Sequence, residues 1–139
     1  MVEGNKGYTI KRFEKRKDIA VIQLRDPDEF LRESYMCSLL YPMIAELKNE
    51  IEKQKGVNYY CLDLSNASRP FGGCSPTTLV SSLSRVKKER PYKLSVVFKY
   101  EDNRERLRKE RIDRMARIHN SLDSFRKVHR IKAPYRYEK

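Results

Sequence analysis

Ile19-Ala20-Val21-Ile22-Gln23-Leu24 is nearly continuous in apolar residues, in a chain where 36% of all residues are charged. A short run of that character reads as a β-strand. The fold has to be assembled around it and the few stretches like it. Tyr8 to Phe13 is a second strand-like stretch, and Glu14-Lys15-Arg16-Lys17-Asp18 between the two reads as a charged, hairpin-like connection.

Asp26-Pro27-Asp28-Glu29 then signals a helix start, with Asp26 as cap, Pro27 in the first position and Glu29 completing a capping box. Leu39, Leu40, Met43, Leu47 and Ile51 recur every three to four residues and close at Gly56, which predicts an amphipathic helix; Pro42 divides it from a short helical or irregular entry. From Val57 to Leu64 the pattern alternates, with Tyr60, Leu62 and Leu64 on one face and Tyr59, Cys61 and Asp63 on the other, as a strand requires. Residues 65–76, with Gly72 and Gly73 adjacent, read as a loop with a tight turn that lacks the Lys-Ser/Thr pair of a nucleotide-binding loop.

Thr77 to Val86 admits two readings. Leu79, Leu83 and Val86 have helical spacing, whereas Thr77, Thr78 and Val80 favour a strand. Leu94, Val96, Phe98 and Tyr100 alternate again, and from Asn103 onward Leu107, Met115, Ile118, Leu122 and Phe125 form an apolar stripe beside many arginines, read as helix until Pro134. The expected architecture is α+β. Residues 1–100 form a compact domain, and 101–139 a basic helical extension.

Charge is unevenly distributed. Of the net +12, the last 58 residues hold +11, while residues 28–81 carry five Lys/Arg against seven Asp/Glu. Arg104, Arg106, Arg108, Lys109, Arg111, Arg114 and Arg117 place seven cations in fourteen residues, six of them arginine, whose planar fork suits phosphate oxygens. That density points to a polyanion partner, nucleic acid above all.

Other classes recede. Cys37, Cys61 and Cys74 are odd in number and unpaired in spacing, hence reduced, and His119 and His129 lie far in sequence from any cysteine, so no metal or other cofactor is expected. The longest apolar run, Met36 to Met43, is too short to span a bilayer, and no secretory signal opens the chain, so an intracellular protein without membrane association is expected. No nucleophile, base and orienting group fall at a recognisable spacing, so neither catalysis nor a small-molecule substrate is expected.

Several strings, in collinear order, resemble the small-subunit ribosomal protein twenty-four family of eukaryotic and archaeal type. They are Tyr8-Thr9-Ile10-Lys11-Arg12, Lys15-Arg16-Lys17 with the Val21 to Leu24 strand and Pro27, and Phe71-Gly72-Gly73 with Thr77-Thr78. Lys87-Lys88-Glu89-Arg90-Pro91 and Arg108-Lys109-Glu110-Arg111 followed by Arg114-Met115 complete the set. The resemblance implies a four-stranded, mainly antiparallel sheet with helical cover and a basic C-terminal helix and tail, with a strand over Thr77 to Ser81. It also implies a cytoplasmic place in the small ribosomal subunit, with ribosomal RNA and neighbouring small-subunit ribosomal proteins as partners and no catalytic role.

The residues expected to contact RNA are Lys11, Arg12, Lys15, Arg16 and Lys17 at the first turn, Arg69 beside the glycine loop, and Arg104, Arg106, Arg108, Lys109, Arg111, Arg114 and Arg117 on the basic helix. In the tail they are Arg126, Lys127, Arg130, Lys132, Tyr135 and Arg136. Phosphate contacts would supply most of the affinity, with tyrosines stacking on unpaired bases.

A second resemblance competes with the first. Leu62-Asp63-Leu64-Ser65 after an amphipathic helix, then a loop and Ser75, is similar to regulatory protein-binding modules of the anti-sigma-factor-antagonist type, in which a phosphorylated serine opens a helix.

Overall fold

A computed structural model of the chain describes residues 7–28, 37–67, 75–85 and 92–138. Five strands lie side by side in chain order: β1 (Tyr8–Arg12), β2 (Ile19–Leu24), β3 (Tyr59–Asp63), β4 (Lys93–Val97) and β5 (Ala116–His119). The charged turn between β1 and β2 is too short for anything but an antiparallel hairpin, and it sets Thr9 opposite Gln23 and Lys11 opposite Val21. The remaining pairings are parallel, with Ile22 beside Leu62, Leu62 beside Val96, and Val96 beside Ile118.

Parallel neighbours need long crossovers, and helices occupy them. α1 (Cys37–Lys53) joins β2 to β3, and α2 (Ser75–Leu83) joins β3 to β4. α3 (Glu101–Lys109), followed by a 3₁₀ turn at Ile112–Arg114, joins β4 to β5, and α4 (Leu122–Val128) follows β5. The sheet is buried on both faces. Ala20, Ile22, Tyr60, Leu62, Leu94 and Val96 meet Leu47 and Ile51 of α1, Leu79 and Leu83 of α2 and Leu107 of α3 in one core. Ile19, Val21, Cys61 and Val97 meet Phe13, Phe125 of α4 and Ile131 in a second. This double burial explains why 19–24 is almost unbroken in apolar residues rather than alternating.

The α+β composition stands, but the expected four-stranded, mainly antiparallel sheet is corrected to a five-stranded mixed one. The stretch from Asn103 is not a single helix. Arg111 takes a left-handed conformation (φ 62°) just past α3, which breaks the helix, and Ala116–His119 then runs as β5. Thr77 to Ser81, expected as strand, belongs to α2. Pro76 sits in its first turn, where a missing N–H is harmless, and Leu79, Val80 and Leu83 are buried at helical spacing.

Pro42 does not divide the helix: it lies inside α1 with its ring exposed, and the helix runs from Cys37 past it to Lys53. Pro27 and Asp28 are helical as expected, while Glu29 falls outside the described residues.

Beyond α4 the chain forms an arm that crosses under the second core and returns to β1. Tyr137 bridges Phe13, the Glu138 N–H donates to the Arg12 carbonyl at 2.8 Å, and the Glu14 N–H donates to the Arg136 carbonyl at 2.8 Å. The rings of Phe13 and Tyr137 lie 5.0 Å apart.

Candidate functional site

The carboxyl ends of β3 and β4 carry the most ordered polar cluster of the described residues. Asp63 ends β3 and is only 5% exposed. Its Oδ2 accepts from Gln23 Nε2 at 2.9 Å, and its Oδ1 accepts from the Ser65 N–H at 3.0 Å and the Ser65 hydroxyl at 2.6 Å. An Asp followed two residues later by Ser is a local turn device, the carboxylate standing in for a backbone acceptor. The turn is pinned from the sheet side as well, since the Leu64 N–H donates to the Val97 carbonyl at 2.9 Å.

From this turn the chain proceeds to Ser75, the first residue of α2. Residues 68–74, including Arg69, Gly72, Gly73 and Cys74, lie outside the described residues. α2 is fastened to the neighbouring crossover by the Thr77 hydroxyl, which donates to the Glu110 carboxylate. Arg104 ties down the next loop by donating to the carbonyls of Phe98 and Lys99 at 2.9 and 2.8 Å. In open sheets of this kind the carboxyl ends of parallel strands are where ligands and partners are met.

Under the sheet, His119 of β5 is 4% exposed. Its Nδ1 lies 3.1 Å from the Ser124 hydroxyl and its Nε2 has no hydrogen-bond partner. Burial first, and then the charge of Arg117 and the neighbouring His129 ring, lower its pKa below the ordinary imidazole value. Cys61 is buried and free, and burial pushes its thiol pKa well up, so it is not a reactive nucleophile. Among the described residues no cluster of three His, Cys, Asp or Glu could hold a metal ion.

The cations singled out in the sequence do not converge on one surface, although Arg114 and Arg117 share a cleft. Arg16 chelates Asp18 through two 3.0 Å bonds and donates to the His129 carbonyl at 2.7 Å. Lys11 stands over the Tyr137 ring, and Lys17 is 3.9 Å from Glu138. On α3, Arg106 and Arg108 pair with Glu110 and Glu105. On α4, Lys127 pairs with Asp123, and Arg126 stacks on the Tyr135 ring, 4.2 Å from its centroid.

Arg12 is half-buried in β1; Lys15 in the first turn, Lys109 and Arg111 at the end of α3, and Arg130, Lys132 and Arg136 on the arm beyond α4 are exposed. Arg114 and Arg117 flank Met115 at the start of β5. The single arginine-faced helix on which an RNA surface depended is therefore not present.

The Asp63-to-Ser65 turn was visible in the sequence as Leu62-Asp63-Leu64-Ser65, but its partner Gln23 was missed. The available signal was the lone amide inside the apolar run 19–24.

No protein-family model matches the chain, and none of the curated proteins matches it. Among solved structures, the fold is similar to that of an anti-sigma factor antagonist from Mycobacterium paratuberculosis. The TM-score is 0.57 at 14% sequence identity, over 93% of this chain and 99% of that one. This likeness overturns the ribosomal reading. The strings shared with the ribosomal family are short and rich in common basic residues, and the described ones are spread over β1, β2, α2, α3 and the turns beside them. Ribosomal RNA and neighbouring ribosomal proteins fall as partners with it, as does a place in the ribosome. Of the expected localisation, what stands is that no helix among the described residues is long and apolar enough to cross a membrane.

Proposed function

We propose that this chain is a non-catalytic regulatory module that binds a protein partner, acting as anti-sigma factor antagonists do, with an anti-sigma factor as the first candidate partner. The observation that carries the reading is the joint placement of two features within a fold similar to that antagonist's. A buried Asp63 locks the turn at the end of β3, and Ser75 is the first residue of α2, the next described element in the chain. Partner docking then uses the edge formed by the Asp63 turn, α2 and the β4–α3 loop.

Ser75 is the switch. A phosphate there would place nearly two negative charges at the positive end of a nine-residue helix. The helix tolerates that charge, so the fold survives phosphorylation while the docking edge changes its potential.

The test is a comparison of wild type, Ser75→Ala and Ser75→Asp in affinity capture from cells of the source organism. Mass spectrometry identifies the captured proteins, and binding is then reconstituted with the purified partner. Wild type and Ser75→Ala are expected to retain one regulatory protein that Ser75→Asp releases. Identical capture by all three variants would refute the switch, and failure of any captured protein to bind in purified form would refute the binding module.

A further inference from the structure

At the amino ends of the parallel strands the second face of the sheet opens on a cleft of about 570 Å³. Tyr59 and Asp63 sit at opposite ends of β3, so the cleft lies roughly 13 Å from the Asp63 turn at about 3.3 Å per residue. Leu94, Ser95 and Ala116 of β4 and β5 are among the residues that line it. Three cations face it from different elements: Lys93 at the start of β4, Arg114 in the 3₁₀ turn and Arg117 in β5.

Unlike Arg16, Arg106, Arg108 and Lys127, these three are not held in ion pairs. None has an ion-pair or hydrogen-bond partner for its side chain among the described residues, and the one carboxylate lining the cleft is Asp113. The cations also crowd a histidine. His129 is stacked between Tyr59 and Phe125, with ring centroids 4.6 and 4.5 Å away, and its edge lines the same cleft. Burial lowers its pKa, and Arg16, Arg117 and Lys93 lower it further against a weaker opposing pull from Asp18. Positive charge is thus concentrated at a concave surface, three cations against the single carboxylate of Asp113.

The walls beside the cations are apolar. Met115 and Val128 are 41% and 42% exposed at its rim, among the few large hydrophobic side chains so exposed in the described residues. Arginine forks match the paired oxygens of phosphates and carboxylates, a phosphate carries the larger charge for three cations to meet, and a cleft of this volume lies in the range that small ligands occupy.

We propose that this cleft binds a small phosphorylated ligand with an aromatic or apolar body, its phosphate held by Lys93, Arg114 and Arg117 and its body lying against Met115 and Val128. The site is separate from Ser75 and does not depend on the protein-partner reading. It also departs from the expectation, drawn from sequence, that the chain meets no small molecule, because Lys93 lies more than twenty residues before Arg114 and Arg117 and joins them only in the fold.

Phenyl phosphate is the probe, with inorganic phosphate, phenol and a poly-glutamate peptide alongside, followed by calorimetry and by NMR of the histidine rings at low ionic strength. Phenyl phosphate is expected to bind more tightly than inorganic phosphate, with phenol inert. Binding should raise the titration midpoint of His129, because an anion offsets the cations around it. Lys93→Ala and Arg117→Ala are each expected to weaken binding about tenfold or more. Arg114→Gln, on an exposed turn outside the sheet, should do the same if either of those variants unfolds. An unmoved His129, or affinity indifferent to all three substitutions, would overturn the assignment. So would tighter binding of the poly-glutamate peptide to the same residues, which would make the cleft a docking surface for acidic protein.

Discussion

Gln23 and Asp63 stand directly opposite each other on the parallel strands β2 and β3, and their side chains are joined by a 2.9 Å hydrogen bond. An amide in the one nearly continuous apolar run of the chain is there to satisfy a carboxylate that burial would otherwise penalise. The pair therefore couples the central strands to the turn on which the docking edge is built.

Removing one partner strands the other. Asp63→Ala should lower unfolding free energy by about 2 kcal/mol and Gln23→Leu by about 1 kcal/mol, as expected for a buried polar group left unpaired. Urea denaturation of both singles and the double variant should show the two effects to be coupled. Additive losses would mean that the bond contributes nothing to the fold.

Stability should fall on the mildly acidic side. His119 and His129 have lowered pKa values in the fold, so on acidification the unfolded chain takes up protons first, near the ordinary imidazole value of about 6.5. Above that value neither state is charged and the term vanishes. Below it the fold loses stability until the folded pKa is passed. The melting temperature should be nearly flat from pH 8 to 7 and drop towards pH 5, and His119→Gln should flatten part of that drop.

A third expectation concerns Arg111, held at φ 62° where α3 gives way to the 3₁₀ turn. Glycine adopts that conformation without steric penalty, so Arg111→Gly should raise stability by about 1 kcal/mol. Calorimetry decides it, and a lower melting temperature would show that the side chain, not the backbone, matters there.

The arm offers a fourth. Tyr137→Ala removes the ring against Phe13 and the stage on which Lys11 stands, and should cost about 1 to 3 kcal/mol. Hydrogen exchange should then speed up at Glu14 and Glu138, whose N–H groups pair the arm with β1, and leave β3 protected.

Strands β1 to β4 could be read from the sequence because each keeps its apolar residues in phase over five or six positions. β5 could not. Ala116-Arg117-Ile118-His119 offers only four residues, and Met115, Ile118, Leu122 and Phe125 also fit helical spacing, so the longer pattern prevailed. Strand direction was equally hidden, since alternation in Tyr59–Asp63 is the same for either direction and only the helical crossovers decide it. In the candidate site, Asp63 and Ser65 were visible because they are neighbours in sequence, whereas Gln23 comes from another strand. Arginine density misled for a related reason: a count along the chain does not register that Arg16, Arg106, Arg108 and Arg126 already have partners.

Closing the arm onto β1 joins Arg12 to Glu138 and so encloses nearly all the described chain in one loop. Such a closure is entropically among the least favourable contacts the chain makes, so the arm is the first part to lift away. Beneath it lies Cys61, packed with Phe13, Val21 and Ile131 and sealed from solvent. A thiol that reacts only when its cover opens keeps time for that opening. The rate at which a maleimide labels Cys61 becomes a clock for a motion that otherwise leaves the rest of the sheet unchanged.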